Sequence, residues 1–291
     1  MCGRYTLAHS MEEIIEAFKV QQLLLPLEPR YNIAPSQMVP IIFTAQDGDE
    51  DAKPGERIIR AARWGFIPEW VKDTKKFPPM INARGETIAE KNSYRHAFRR
   101  RRCIIPADGF YEWQGQGKER LPYRIELKGA PLFAFAGLYE DWTSSDGSMI
   151  RTNVIITVAT NRLLSQFHER MPAILHRGEE DQWLDVHAKQ ENLAEVQALL
   201  RPYPNEEMHF FRVSKRVNGT TFNDAELSRR LAEGEAEYQA PPKEKTASRE
   251  KAVSKERAEG ADKDGPVEKP AKIKKSEKPP DDSGATQLKL F

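Results

Sequence analysis

From Ala240 to Ser283 the chain reads APPKEKTASREKAVSKERAEGADKDGPVEKPAKIKKSEKPPDDS, with no aromatic residue and hardly a large aliphatic one. Such a stretch cannot bury enough apolar surface to offset the entropy lost on ordering it, so the sequence predicts a disordered linker. The folded mass then has to end near Tyr238. We read residues 2–238 as one folded domain, 239–286 as a charged linker and 287–291 as a terminal motif. A stretch of about 240 residues is long enough for one sizeable core.

Charge excludes little, because 45 Lys and Arg stand against 44 Asp and Glu in 291 residues. A balance this even marks neither a basic nucleic-acid binder nor an acidic one. Only two cysteines occur, Cys2 and Cys103, so no disulfide framework and no C-x-x-C metal pattern is expected, and neither metal nor cofactor is called for. With no apolar leader and no apolar run near a membrane span, the expected location is a reducing cytoplasm without membrane contact.

Within the folded part short strands dominate. VPIIF, RIIRAAR, CIIP, GFYEW, YRIEL, LFAFAGLY, TNVIITVA, AILH and HFFRV read as strands separated by turn signals. AQDGDEDAKPGE reads as a long exposed hairpin connection. Helices are few: SMEEIIEAFKVQQLL opens with Ser10 and has Glu13 three residues on, a capping box before an amphipathic run. SYRHAFRRRR, with Ser93 as its cap, and the stretch from Gly178 to Leu200 also read as helical. The expected class is α+β: one β-rich domain with a curled, barrel-like sheet flanked by helices, and a disordered C-terminal tail.

The first residues, MCGRYT, raise a chemical question. Initiator methionine is removed when the next side chain is small, and Cys is small. The mature chain would begin at Cys2, with amine and thiol on adjacent carbons. Polar residues also stand where plain strand chemistry does not need them: Asn82 and Arg84 in MINARGET, Glu112 among the aromatics of GFYEWQ, His168 and Arg170 in FHERMPAIL, and Asn32 and Pro35 in RYNIAPSQ. Taken singly, each fits an ordinary turn, a wet strand face or a structural hydrogen bond.

Taken together and in order, MCGRY, YNIAPSQ, WGFIPEW, INARGET, CIIPADGFYEW, FAGLYEDW, ITVATN and HERMPAIL resemble the motifs of the SOS-response-associated peptidase (SRAP) family, the abasic-site shielding proteins, over roughly residues 2 to 215. The resemblance implies a covalent crosslink between the N-terminal cysteine and abasic sites in single-stranded DNA. The open form of an abasic deoxyribose presents an aldehyde. An amine converts it to a Schiff base, and a thiol on the adjacent carbon closes a five-membered thiazolidine. Ordinary pKa values leave roughly a third of such an amine neutral and about a tenth of the thiol ionised near pH 7.5, so neither group is expected to need tuning. The resemblance gives catalytic roles to Cys2, Asn82, Glu112 and His168, with Glu112 as proton shuttle, His168 as donor to the sugar ring oxygen or departing hydroxyl, and Asn82 fixing the sugar or the terminus.

For DNA contact it implies Arg4, Arg84 and Arg170 on phosphates, Trp113 against the sugar or a base, and Asn32 and Pro35 in a wedge that splays the strand. The run of arginines at 99–102 is a further candidate phosphate contact. Peptidase activity is expected only as exposure of the cysteine or release of the crosslink. Two alternatives remain: an N-terminal-nucleophile hydrolase of the glutamine amidotransferase type, marked here only by NGT at Asn218–Thr220, and a passive single-stranded DNA adaptor.

The last five residues, QLKLF, place Gln287, Leu288, Leu290 and Phe291 at the end of an otherwise charged tail. They resemble the bacterial sliding-clamp binding motif and imply a replisome clamp as partner of a monomeric protein at the replication fork. A linker of about 45 residues spans roughly 35–40 Å r.m.s., enough to let the domain search DNA beside a clamp.

Overall fold

A computed structural model describes residues 2–23, 28–49, 51–186, 192–236 and 238. The linker at 239–286 and the motif at 287–291 lie outside the described residues. In chain order the elements are β1 (Tyr5–Leu7), α1 (Met11–Phe18), β2 (Gln22–Leu23), β3 (Arg30–Ile33), β4 (Met38–Thr44), β5 (Arg57–Trp64), β6 (Asn82–Arg84), α2 (Arg95–Arg100), β7 (Arg102–Ala107), β8 (Gly109–Gln114), β9 (Leu121–Leu127), β10 (Phe133–Thr143), β11 (Met149–Ala159), β12 (Arg170–Pro172), β13 (Ile174–Leu175), α3 (Glu180–Leu184), α4 (Leu193–Ala198) and β14 (Met208–Arg212).

Five of these strands close on themselves. β11 pairs with β10, β10 with β7, β7 with β4 and β4 with β5, all antiparallel. β5 then runs parallel to β11, with Arg63 opposite Thr152 and Trp64 opposite Asn153, and completes the ring. Closure leaves no unpaired edge within the ring. The core is filled by branched and aromatic residues such as Ile42, Ile59, Ile104, Phe135 and Ile155, all fully buried. At Gly137 a Cβ would stand 2.8 Å from Ile105 Cδ1 and 3.1 Å from Cys103 Sγ, so only glycine allows this approach of β10 to β7. The expectation of a barrel-like sheet in an α+β domain is met.

A second sheet has the order β14-β9-β8-β1-β3. The N-terminal strand β1 is therefore an inner strand, paired with β3 on one side and β8 on the other. Tyr5 joins this sheet to the barrel through edge-on contacts with Trp64 at 5.3 Å and Phe135 at 5.8 Å between ring centroids. Asp108, at the start of the β8 region, is buried and accepts from the Thr6 hydroxyl, from Ala8 N at 2.5 Å and from Arg124 at 3.1 Å, which fixes β1 along its length. Beyond the ring, β11 carries β6 in parallel, with Ile155 opposite Asn82 and Thr157 opposite Arg84, and β12 antiparallel, with Ala159 opposite Arg170. These pairings bring INARGET and HERMPAIL, far apart in the chain, onto one strand.

Three helical expectations change. The capping box on α1 forms as read, with Glu13 N donating to Ser10 Oγ at 3.2 Å and Ser10 N to Glu13 Oε2 at 2.8 Å. The helix nevertheless stops at Phe18, because Lys19 turns left-handed (φ 52°) and Gln22–Leu23 pairs alongside β5. In α2 the residue before the helix is Tyr94, without a side-chain cap, so Ser93 does not cap it. The stretch from Gly178 to Leu200 forms two short helices rather than one.

The arginine run also divides. Arg99 and Arg100 are exposed, Arg101 pairs with Glu140, and Arg102 is buried. Arg102 donates to the carbonyls of Trp183 at 2.6 Å and Phe98 at 2.7 Å and to that of Asp185, tying α2 and α3 to β7. Burial lowers its pKa to about 10, partly opposed by Asp185. It is a structural tie and not a phosphate contact. Arg102→Ala leaves three buried carbonyls without their donor and should cost about 3 kcal/mol or more in urea unfolding. Exposed Arg99→Ala should change stability by less than about 0.5 kcal/mol.

Candidate active site

The inner position of β1 decides where the terminus goes. Cys2, three residues before Tyr5, has no exposed surface. Its Sγ lies 3.9 Å from the Arg4 carbonyl oxygen, and its own carbonyl accepts from Asn82 Nδ2 at 2.9 Å. The parallel pairing of β6 with β11 is thus what brings Asn82 to the terminus. The other side-chain atom of Asn82, Oδ1, is buried without a partner among the described residues.

Beside this point β8 brings Glu112. Backbone pairing of Tyr5 with Phe110, and the bond from Tyr111 N to Arg4 O at 2.9 Å, set GFYEW against MCGRY. Glu112 is 7% exposed. Burial raises its pKa above the usual carboxylate range, and the positive chain terminus and the Trp113 backbone N–H oppose without reversing the shift. Burial also pushes the Cys2 thiol far up, and the Glu112 carboxylate adds to that. In the chain that still carries Met1, desolvation thus favours the protonated Cys2 thiol.

His168 precedes β12. Arg170 N donates to its Nδ1 at 2.9 Å. A ring nitrogen that accepts a hydrogen bond carries no proton, so the neutral ring has its hydrogen on Nε2. Burial lowers the His168 pKa, and the positive chain terminus lowers it further. The site therefore has a neutral imidazole able to donate from Nε2.

Gly3, Arg4, Glu112, Trp113, Arg120, Phe167, His168 and Asn218 line one open cleft of about 810 Å³. Its walls are mostly polar. Trp113 is half-buried on the rim, with Nε1 donating to Asn218 Oδ1 at 2.8 Å.

The arginines read as DNA contacts differ in their freedom. Arg84 is exposed on β6. Arg4 donates to Asn32 Oδ1 at 2.6 Å, Val217 O at 2.7 Å and Asn218 O at 3.2 Å. Asn32 is buried and donates to Gly219 O at 2.8 Å, so Arg4 and Asn32 together hold the 217–219 loop against the terminus. Arg170 donates to both oxygens of Glu86, at 2.6 and 2.9 Å, and to the Thr157 carbonyl at 2.5 Å, so it reaches a phosphate only by leaving Glu86. Pro35 is half-buried in the turn between β3 and β4, where Ser36 is left-handed at φ 71°. Gln287, Leu288, Leu290 and Phe291 are outside the described residues.

Sequence reasoning missed Asn218, Arg120 and Glu86. Asn218 was visible in the NGT run but was weighed only as a mark of another enzyme class. Glu86 stood in the quoted INARGET motif, yet nothing local signals a partner 84 residues away.

The chain is similar to known proteins. The profile of the family "SOS response associated peptidase (SRAP)" matches residues 1–220. The abasic site processing protein YoqW of Bacillus subtilis is 44% identical over 230 residues, covering 78% of this chain and 98% of that one. The abasic site processing protein HMCES of Xenopus tropicalis is 32% identical over 222 residues, covering 68% of this chain and 65% of its own. Among solved structures, a crystal structure of a protein from Bacteroides thetaiotaomicron superposes with a TM-score of 0.68 at 28% identity, covering 79% of this chain and 100% of that one. A family match over residues 1–220 and a relative 44% identical over nearly its whole length lead to one conclusion: the chain belongs to the SRAP family.

Proposed function

We propose that the protein processes abasic sites in single-stranded DNA by forming a thiazolidine crosslink through Cys2 once Met1 is removed. The observation that carries this reading is the hold of Asn82 on the Cys2 carbonyl at the edge of a polar cleft shared by Glu112 and His168. Relatives named as abasic site processing proteins support the substrate class.

The chemistry follows from the environment of each group. The Cys2 amine, having given its proton to the Glu112 carboxylate, attacks C1′ of the open sugar. Glu112, now an acid, protonates the carbinolamine hydroxyl, which departs as water and leaves an iminium. The buried thiol then adds to C1′ while its proton passes to Glu112. One water is released overall, and Glu112 alternates between its two forms, which a carboxyl held above its usual range does readily near neutrality. His168 gives a hydrogen bond from Nε2 to the sugar ring oxygen, which takes up the proton that leaves the C1′ hydroxyl as the ring opens. Asn82 fixes the terminus, and its unpartnered Oδ1 receives an N–H of the Cys2 amine.

Arg84 would hold a neighbouring phosphate, with Trp113 packing on the sugar or a base and Asn32, Pro35 and Arg4 forming the wall that splays the strand. Peptidase activity is limited to self-processing. The protein acts as a monomer in the cytoplasm, and its terminal Gln287, Leu288, Leu290 and Phe291 bind the sliding clamp.

A uracil-containing single strand treated with uracil glycosylase should give a shifted band on a denaturing gel. Cys2→Ala and Cys2→Ser should remove that band, as should an N-terminal extension that prevents Met1 removal. A heat-stable adduct of equal yield with Cys2→Ala would refute the crosslink.

Glu112→Gln should slow single-turnover crosslinking by about 10²-fold or more with DNA affinity nearly unchanged. In the wild type the rate should fall as pH drops through the raised Glu112 pKa, hence above the ordinary carboxylate value of about 4.3. The variant should lack that limb. Equal rates for the two proteins would remove Glu112 from the proton path.

A peptide ending SGATQLKLF should bind the bacterial sliding clamp with micromolar affinity by fluorescence anisotropy, and one with Leu290→Ala and Phe291→Ala should not. Equal binding by both peptides, or none by either, would leave the tail without this role.

A further inference from the structure

His168 lies on the loop before β12, and among the described residues its ring has one hydrogen bond, from Arg170 N to Nδ1 at 2.9 Å. That bond sets the tautomer only while the Arg170 backbone keeps its position. The Arg170 side chain supplies the restraint. Its guanidinium donates to both Glu86 oxygens, at 2.6 and 2.9 Å, and to the Thr157 carbonyl on β11 at 2.5 Å. Two parallel N–H···O bonds to one carboxylate fix direction as well as distance.

Glu86 is itself held. It sits in the one-turn 3-10 helix Gly85–Thr87 that directly follows β6. The Arg170 guanidinium keeps its carboxyl below the usual carboxylate range, and the Ala159 backbone N–H contributes to this. The arginine side chain is 12% exposed and that of Glu86 50% exposed, so the pair lies half out of water and survives moderate acid. β6 also carries Asn82, which holds the Cys2 carbonyl at 2.9 Å. A single chain of contacts therefore links the clamp on Cys2 to the ring of His168: Asn82 and Glu86 on one short segment, then Arg170, then His168.

We propose that Glu86 is a positioning residue that acts through Arg170 to hold His168 as the Nε2–H tautomer in register with Cys2. This rests on the crosslinking reading for its kinetic consequence, and on the structure alone for its effect on the ring.

The groups facing His168 are Glu169 and Arg170 on its own segment, the chain terminus, and Arg4, Glu112 and Arg120 across the cleft. Glu86→Gln keeps the shape of the side chain and leaves these groups in place. An amide offers one acceptor and turns an N–H toward the guanidinium, so the two-bond clamp is lost.

The test reads the ring directly. Long-range proton–nitrogen correlation NMR of imidazole-labelled protein, free of DNA, reports the tautomer of His168. The wild type should show one tautomer, with hydrogen on Nε2, over the pH range above its titration. Glu86→Gln should give averaged nitrogen shifts of two tautomers and a titration moved up toward an ordinary histidine. Glu86→Asp, which keeps the carboxylate, should restore most of the wild-type pattern. Single-turnover crosslinking to an abasic strand should fall about tenfold in Glu86→Gln, with strand affinity within twofold of the wild type.

Unchanged nitrogen shifts and an unchanged titration in a folded Glu86→Gln protein would overturn the inference. So would a rate loss with an unaltered ring, because it would assign Glu86 to some other task. If the wild type forms no crosslink, the crosslinking reading fails, while the tautomer measurement still decides the role of Glu86.

Discussion

Everything at the site depends on a chain terminus threaded into the middle of a sheet. β1 has β3 on one side and β8 on the other, so the residues ahead of it enter the protein instead of leaving it. Strand pairing is non-local and exacting in register, and it fixes the chain a few residues from its end as firmly as a core strand. A terminus normally frays. Here the Asn82 bond to the Cys2 carbonyl and the Asp108 bonds around Thr6 and Ala8 extend the order to Cys2. A reactive group at a chain end is ordinarily poorly placed, and this sheet order removes that difficulty.

Burial has an electrostatic consequence. Desolvation outweighs the positive chain terminus at both Cys2 and Glu112, and both pKa values move up. The two shifts are complementary. A thiol kept protonated resists stray oxidation and needs a base, and a carboxyl with a raised pKa can take its proton and return it. At His168 the same desolvation works in the opposite direction and favours the neutral ring. One cause, desolvation, thus shifts three groups of different charge type toward their neutral forms.

Much of the fold was legible because its strands are short, β-branched and separated by turn residues. VPIIF, RIIRAAR, CIIP, LFAFAGLY and TNVIITVA became the five strands of the ring. What local pattern does not carry is the partner of each strand, so closure through the parallel β5–β11 pair was not readable. The three-residue strands β1, β6 and β12 were also missed, since three residues show no periodicity; Asn82 lies on β6, Cys2 just ahead of β1 and His168 just ahead of β12. Cys2, Asn82, Glu112 and His168 were singled out through motif order; the structure puts Asn82 on the Cys2 carbonyl and brings Glu112 and His168 to one cleft. Charge alone misled at Arg102, which in a run of four arginines is a buried tie; Arg4 and Arg170 also have protein acceptors that the sequence did not announce. A side chain's partners are set by tertiary contacts that one sequence does not display.

In the proposed reaction Cys2 joins the abasic sugar through both amine and sulfur. Intact-mass spectrometry of the protein lacking Met1, after reaction with an abasic single strand, tests it most directly. The predicted mass is the sum of protein and oligonucleotide less one water, in a species that persists after borohydride treatment without gaining hydrogen, because a closed thiazolidine has no imine to reduce. Cys2→Ser should give no such reduction-resistant species. An adduct that takes up two hydrogens on reduction, or that forms equally well with Cys2→Ser, would contradict it.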